Sequence, residues 1–367
     1  MNILFNDFKK QYQEHKSEID LAIQDVLNSG RYVPWKHVEW FEIGFAQKLW
    51  SPYCVGVGNG LDAIRIALMA LDIKEWDEVI TTAHSAVATA LAVLNVGATP
   101  VFVDIDEYYH IDADKIEEKI TPRTKAVLPV HLYGQACDLD KIRTICEKHT
   151  LVLIEDCAQA HFTQYEGKYV GTLGKVWCFS FYPTKNLWAY GDAGAITTAD
   201  KEIYDKCRMI KNYGQENRYE HKIYGVNSRM DELQAAILQV QLKYVQENNA
   251  KRSIIAKKYM EQLKDIPQIV LPKLREKSSH IFHLFVIQCE RRDELMAFLK
   301  EKGIPSLIHY PIPIHKQPFL QGKYDDISLP ILDAVTKRIL SLPIHPYISD
   351  EEIAYIVWCV KEFYQGQ

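Results

Sequence analysis

The sequence predicts an α/β protein: a mainly parallel central sheet with a smaller C-terminal α+β domain. Two observations carry the prediction. From Tyr53 to Ala199 short β-rich runs alternate with helical stretches, and past Ile266 the pattern changes. The strands expected are Cys54–Val57, Glu78–Thr81, Thr99–Val103, Ala126–Val130, Val152–Glu155, Val176–Ser180 and Ala195–Thr198. Helical segments at Leu61–Leu71, Ser85–Val96 and Leu139–His149 fall between them. Such alternation gives parallel strands joined by crossover helices that cover both faces of the sheet.

The flanking segments are read in the same way. Residues 1–30 carry helical spacing at Phe8, Tyr12, Ile19, Ile23 and Val26, and stop at Ser29-Gly30. A long helical stretch from Ser228 to about Leu263 is the expected connector. After it come a strand-like run at His283–Gln288, a helix Arg292–Lys302 ended by Gly303, the proline-rich Ile308–His315 and a terminal helix from Asp350. A chain of 367 residues is too long for one small core. We therefore expect a large domain over 1–250 and a small one over 251–367.

Bulk properties exclude several classes. With 43 basic and 48 acidic residues, a net charge of −5 gives no electrostatic case for nucleic acid. Neither a membrane-length apolar run nor an N-terminal targeting pattern is present, so no membrane association and a cytoplasmic location are expected. The eight cysteines form no Cys-x-x-Cys pair. That argues for reduced thiols, and against a disulfide framework or a metal site. Cys157 reads as a small buried hydrophobe rather than a nucleophile.

Chemistry concentrates around Lys185, in Ser180-Phe-Tyr-Pro-Thr-Lys185-Asn-Leu-Trp188 followed by Gly191-Asp-Ala-Gly194. Upstream, the apolar run Leu151–Ile154 ends in Glu155-Asp156-Cys157-Ala-Gln159-Ala-His161. A buried strand ending in an acid holds a carboxylate at the carboxyl edge of a parallel sheet. Pyridoxal 5′-phosphate (PLP) needs such a pair: a lysine for the Schiff base, and an acid to keep the pyridine nitrogen protonated. Asp156 also reads as an N-cap for the next segment. The turn Gly58-Asn59-Gly60-Leu61 opens a helix and offers backbone N–H groups to a phosphate, or simply caps that helix. Ser180 reads either as a second phosphate donor or as a turn residue bonding its own backbone.

These segments resemble the DegT/DnrJ/EryC1 family of PLP-dependent nucleotide-sugar aminotransferases. The ordered matches run from Phe5-Asn-Asp and Ser29-Gly-Arg-Tyr through Gly58-Asn-Gly-Leu-Asp-Ala, Pro129-Val-His-Leu-Tyr-Gly-Gln135, Glu155–His161, Ser180–Leu187 and Gly191-Asp-Ala-Gly-Ala-Ile to Asn227-Ser-Arg-Met-Asp-Glu-Leu-Gln-Ala and His309-Tyr-Pro-Ile-Pro-Ile-His315. The resemblance implies the fold-type I, aspartate-aminotransferase-like architecture and a homodimer with shared active sites. It makes Lys185 the Schiff-base lysine and proton carrier, Asp156 the ring-nitrogen partner and Gln159 the phenolic-oxygen contact. Asn59, Gly60, Leu61 and Ser180 would hold the phosphate. Asn227, otherwise a helix N-cap, would reach the phosphate of the partner subunit's cofactor.

Three departures mark this chain within the family. Ala86 stands where many relatives carry a ring-stacking aromatic, Trp188 replaces a common glycine, and Ala193 replaces another. Trp188 reads as an aromatic contact near the ring, as a dimer-interface residue or as packing. The run His84-Ser-Ala-Val-Ala-Thr resembles members that aminate C3 of a 3-keto-6-deoxy sugar. The implied activity is formation of a dTDP-3-amino-3,6-dideoxyhexose with glutamate as donor, for surface polysaccharide (lipopolysaccharide or S-layer glycan) or glycoside biosynthesis. The alternative is a C4 transaminase of the same family. Relatives that dehydrate sugars replace the lysine with histidine, and a catalytically silent regulator would not need Lys185, Asp156 and Gln159 together. Around the hexose we expect Tyr182, His161, Tyr224, His309 and Tyr310, each of which also has a core reading. Arg31 and Lys211 are candidate diphosphate partners.

Overall fold

The computed structural model describes residue 1 and residues 3–365. All seven expected strands form, within two residues of their predicted ends. Their order across the sheet is Tyr53–Val57, Gly194–Thr198, Val176–Ser180, Val152–Asp156, Thr124–Leu128, Glu78–Thr82 and Thr99–Val103. Every neighbouring pair is parallel except those made by Gly194–Thr198, which runs antiparallel to both of its neighbours. The sheet is thus mainly parallel, as expected, with one reversed strand.

Two apolar layers sandwich this sheet. On one face helix Gly60–Ala70 packs Ile64, Ala67 and Leu68 with Val79, Leu128, Ile154 and Ile196, joined by Ile203 and Cys207 of Lys201–Ile210. On the other, Phe41 and Phe45 of helix Lys36–Leu49 pack edge-on against Phe179 and Phe181, alongside Leu238 and Leu242. Each such fully buried side chain contributes about 1.5–3 kcal/mol. Helix Lys36–Leu49 was not among the expected elements. Its exposed Trp40 and Ile43 blur the polar face that would have announced it. Its N-terminus is capped from a distance: the buried Glu232 carboxylate accepts the N–H groups of Trp35, His37 and Val38.

Helix Glu232–Leu263 runs through two cores. Ala235, Leu238 and Val245 face the sheet layer, while Ile255, Tyr259 and Leu263 join a separate cluster around the antiparallel strands Ile269–Val270, Phe285–Cys289 and Ile339–Leu342. Between the two sits Arg252, 1% exposed, donating to the carbonyls of Phe282, His283 and Ile344. Helix Arg292–Glu301 and helix Asp350–Gln365 complete this second layer. The N-terminal helix is broken at His15 into Phe8–Glu14 and Lys16–Ser29, and ends at Gly30 with φ 63°. There the left-handed backbone favours glycine. All eight cysteines are free and buried. No helix among the described residues is long and apolar enough to cross a membrane.

Candidate active site

The carboxyl ends of the parallel strands open into a cleft of about 430 Å³, lined by Asn59, Gly60, Leu61, Ser85, Ala86, Thr89, Asp156, Gln159, Ser180, Tyr182, Lys185 and Asp192, among others. Such an edge is where open α/β sheets hold their ligands. Strand Val152–Asp156 delivers Asp156 there and fixes it through Asp156 N–H to Pro129 O and His131 N–H to Asp156 O, both 3.0 Å. Helix Gly60–Ala70 starts at the opposite wall. Asn59 Oδ1 caps it by accepting Asp62 N–H at 2.8 Å, while Gly60 and Leu61 present N–H groups without intrahelical acceptors. Close backbone approach requires glycine here. A Cβ on Gly60 would lie 2.6 Å from Ser180 Cβ, and one on Gly194 would lie 2.4 Å from Asn59 O.

Lys185 sits on a tight turn after strand Val176–Ser180, its N–H donating to Tyr182 O at 2.8 Å. Asn186 anchors that turn. Its amide donates to Asn249 Oδ1 at 2.7 Å and its oxygen pairs with His283 Nδ1 at 3.0 Å, tying the lysine to the long helix and the second layer. Desolvation lowers the Lys185 pKa to about 8 against the opposing pull of Asp156. The Asp156 carboxyl is shifted up, again by desolvation first, although Ala158 N–H, the Thr89 hydroxyl and the Lys185 charge all favour its anion. Burial outweighs attraction for both partners, so a reactive amine is present near neutral pH.

Gln159 is held at both ends: its Oε1 accepts Tyr133 N–H at 2.7 Å, and its Nε2 donates to Tyr310 Oη at 3.2 Å. Tyr310 and His309 therefore arrive at the cleft from the C-terminal part of the chain. His309 Nδ1 pairs with Ser341 Oγ at 2.8 Å, and its backbone carbonyl accepts the Tyr133 hydroxyl. Burial lowers the His309 pKa to about 4, with Lys185 adding to the effect.

Four expected placements differ. His161 does not reach the cleft: it is fully buried behind the lysine turn against Phe179 and Phe181, because the chain folds back after Asp156. Tyr224, 84% exposed, lies in a separate groove with Arg65, Met69 and Lys206. Lys211 is no free diphosphate partner, since its buried ammonium bonds Glu42 Oε1 and Gly56 O. Asn227 caps no helix, because Asp231 occupies that position; it is exposed beside Ser228, whose hydroxyl accepts Gly58 N–H at 3.0 Å. Arg31 is exposed and stacks on Trp35. Trp188, 1% exposed, is a packing residue.

Other participants went unread in the sequence. Thr89 bonds Asp156 directly, and Tyr133 links Gln159 to His309. The buried Glu155 accepts His131 Nε2–H at 2.9 Å together with the N–H groups of Gly171, Leu173 and Gly174. His131 Nδ1 accepts Cys137 N–H, which leaves Nε2 to donate to Glu155. The available signal was polar residues inside otherwise apolar strand ends, which need partners when buried.

The residues present fit PLP: a glycine-lined helix start for phosphate, a buried carboxylate, and a desolvated lysine on one cleft. Comparison with known proteins agrees with this arrangement. The profile of the DegT/DnrJ/EryC1/StrS aminotransferase family matches residues 13–361. The chain is 45% identical to the dTDP-3-amino-3,6-dideoxy-alpha-D-galactopyranose transaminase of Aneurinibacillus thermoaerophilus, over 98% of this chain and 99% of that one. It superposes on Streptomyces venezuelae DesV, solved in complex with a ketimine intermediate, with TM-score 0.97, 41% identity and 99% of both chains covered. Bacillus subtilis NtdA, solved with bound cofactor PMP, gives TM-score 0.93 and 35% identity over 99% of this chain and 85% of that one. The chain belongs to the DegT/DnrJ/EryC1/StrS aminotransferase family.

Proposed function

We propose that this protein is a PLP-dependent transaminase that converts a dTDP-3-keto-6-deoxyhexose to the dTDP-3-amino-3,6-dideoxyhexose, with L-glutamate as donor. The observation that carries the reading is the convergence of Lys185, Asp156, Gln159 and the Gly60 helix start on one cleft. The full-length similarity to a 3-amino-sugar transaminase supports the position aminated. Bound there, PLP supplies a carbonyl for amine exchange and a ring that withdraws electrons from the carbon losing a proton.

This chain's residues do the rest. The N–H groups of Gly60 and Leu61 with the Ser180 hydroxyl bind the phosphate. Asp156 holds a proton at the ring nitrogen, and Gln159, fixed by Tyr133 and Tyr310, orients the phenolic edge. The Lys185 amine, desolvated and close to half neutral near pH 8, would take the proton from the carbon that loses it and return it to the carbon that gains it. Tyr182, His309 and Tyr310 border the space left for the hexose. Ala86, with no ring to stack, leaves that wall of the cleft shallow.

In the same reading residues 1–250 form the cofactor-binding domain, and 251–367 the smaller domain that brings His309 and Tyr310. Two chains pair with shared sites. The exposed Asn227 and Tyr224, neither of which lines this chain's own cleft, serve the partner's. The product feeds surface polysaccharide or glycoside synthesis. The test is product analysis with dTDP-linked 3-keto and 4-keto sugars. Nitrogen at C3 supports the reading, and absence of any amino sugar removes it.

A further inference from the structure

Along the cleft wall runs a chain of hydroxyls that the roles above leave unused. Thr89 Oγ1 donates to Asp156 Oδ2 at 2.9 Å, and Ser85 Oγ lies 2.8 Å from Thr89 Oγ1. Ser85, Thr89 and Asp156 are 5%, 1% and 4% exposed, so water does not substitute for these contacts. Counting protons fixes the direction of the chain. An ionised carboxylate only accepts, so the single Thr89 hydroxyl proton goes to Asp156 and the Ser85 proton goes to Thr89. Both O–H bonds point toward the carboxylate, and Ala158 N–H reaches its other oxygen at 3.1 Å. Thr89 is also placed by backbone, through its N–H to Ala86 O at 3.2 Å. Valine would fill the same volume, so packing alone does not call for the hydroxyl.

Resting on the cofactor reading above, we propose that Thr89, polarised by Ser85, is a positioning residue that sets the basicity of Asp156 toward the ring nitrogen. Donors to the anion make the carboxylate a weaker base, so the shared proton stays on nitrogen and the ring keeps its electron-withdrawing power. The other groups facing Asp156 do not supply this control. They are Lys185 across the cleft, His131, whose Nε2 is committed to Glu155, the thiols of Cys157 and Cys178, and Tyr310 from the C-terminal part. Lys185 contributes its charge across the cleft, but its amine would be engaged elsewhere with the cofactor in place.

The experiment compares wild type with Thr89→Val, Thr89→Ser and Ser85→Ala in two states. In apoprotein labelled with carboxyl-¹³C aspartate, the Asp156 resonance is assigned through Asp156→Asn and titrated. Loss of one hydrogen bond to the anion raises its midpoint by about one pH unit in Thr89→Val. Thr89→Ser restores the wild-type value, and Ser85→Ala gives a smaller rise. In PLP-loaded protein the pH midpoint of the visible absorption band moves up in Thr89→Val and returns in Thr89→Ser. A ring with less positive charge would withdraw electrons less strongly, so the proton titrating at the Lys185 nitrogen would persist to higher pH. An unchanged Asp156 midpoint in folded Thr89→Val and Ser85→Ala overturns the proposal, as does an equal shift in Thr89→Ser. A shift in apoprotein while wild-type protein with PLP shows no visible band overturns it through its premise, the cofactor reading.

Discussion

Replacing Asp156 by asparagine removes one charge and almost no volume, so it separates chemistry from folding. The amide oxygen keeps the Ala158 N–H bond. Thr89 can turn its hydroxyl toward Ser85 and accept from the new amide, so both hydroxyls stay paired. Stability should change by no more than about 1–2 kcal/mol, the scale of one exchanged hydrogen bond. Turnover should suffer far more. At an effective dielectric near 20, opposite charges about 4 Å apart attract by about 4 kcal/mol. Losing that hold on the protonated ring costs about three decades in rate, at 1.36 kcal/mol per decade. The Asp156 charge also raises the Lys185 pKa, so its removal should take the amine of the apoprotein below about 8. Steady-state turnover, thermal melting and the pH dependence of amine labelling together read all three effects. A folded variant turning over within tenfold of wild type would refute the assignment of Asp156 as the ring partner.

The remaining predictions address the lysine, the shared site and the buried acid behind it. Lys185→Ala should abolish turnover and borohydride trapping of PLP on the protein, yet still retain cofactor through the Gly60, Leu61 and Ser180 contacts; unchanged turnover removes the mechanism. Mixing inactive Lys185→Ala with an inactive Asn227→Ala chain should recover activity in hybrids, because one site is then assembled from two intact halves. No recovery despite demonstrated subunit exchange counts against shared sites. Glu155→Gln should lose about 1–3 kcal/mol in denaturant unfolding, since it strands donors around a fully buried acceptor. Burial alone would raise the Glu155 carboxyl, but His131 and the loop N–H groups outweigh it and hold it below its ordinary value. The stability it lends is present above the ordinary carboxylate range and lost as pH falls through the lower folded value. The variant's acid-unfolding limb should therefore be flatter.

Strand positions were legible because buried parallel strands are apolar runs bounded by turn residues, and Val152–Asp156 announced its acid at the right end. The reversal of Gly194–Thr198 was not legible. Direction depends on the connection from Ser180, and the lysine turn returns the chain beside its own strand instead of crossing over. The cleft residues found in advance lie next to glycines or at strand ends, where local sequence dictates geometry. Those misplaced depend on distant partners. His161 is claimed by Phe179 and Phe181, Lys211 by Glu42, and neither pairing has a signature in spacing. Thr89 and Tyr133 were hidden for the same reason: each acts through contacts with residues far along the chain.

The central claim is tested most directly by the site of nitrogen in the product. Purified protein with PLP and glutamate is given dTDP-linked 3-keto-6-deoxyhexose and its 4-keto isomer, and the products are resolved by NMR. The account predicts preferential consumption of the 3-keto sugar, with nitrogen on C3. The neighbouring C4 hydroxyl would then meet polar partners around Tyr182, His309 and Tyr310, each of which would cost about 1–3 kcal/mol if left buried and unpaired. Nitrogen on C4 would contradict the assignment of position, and no amino sugar from either substrate would contradict the function itself.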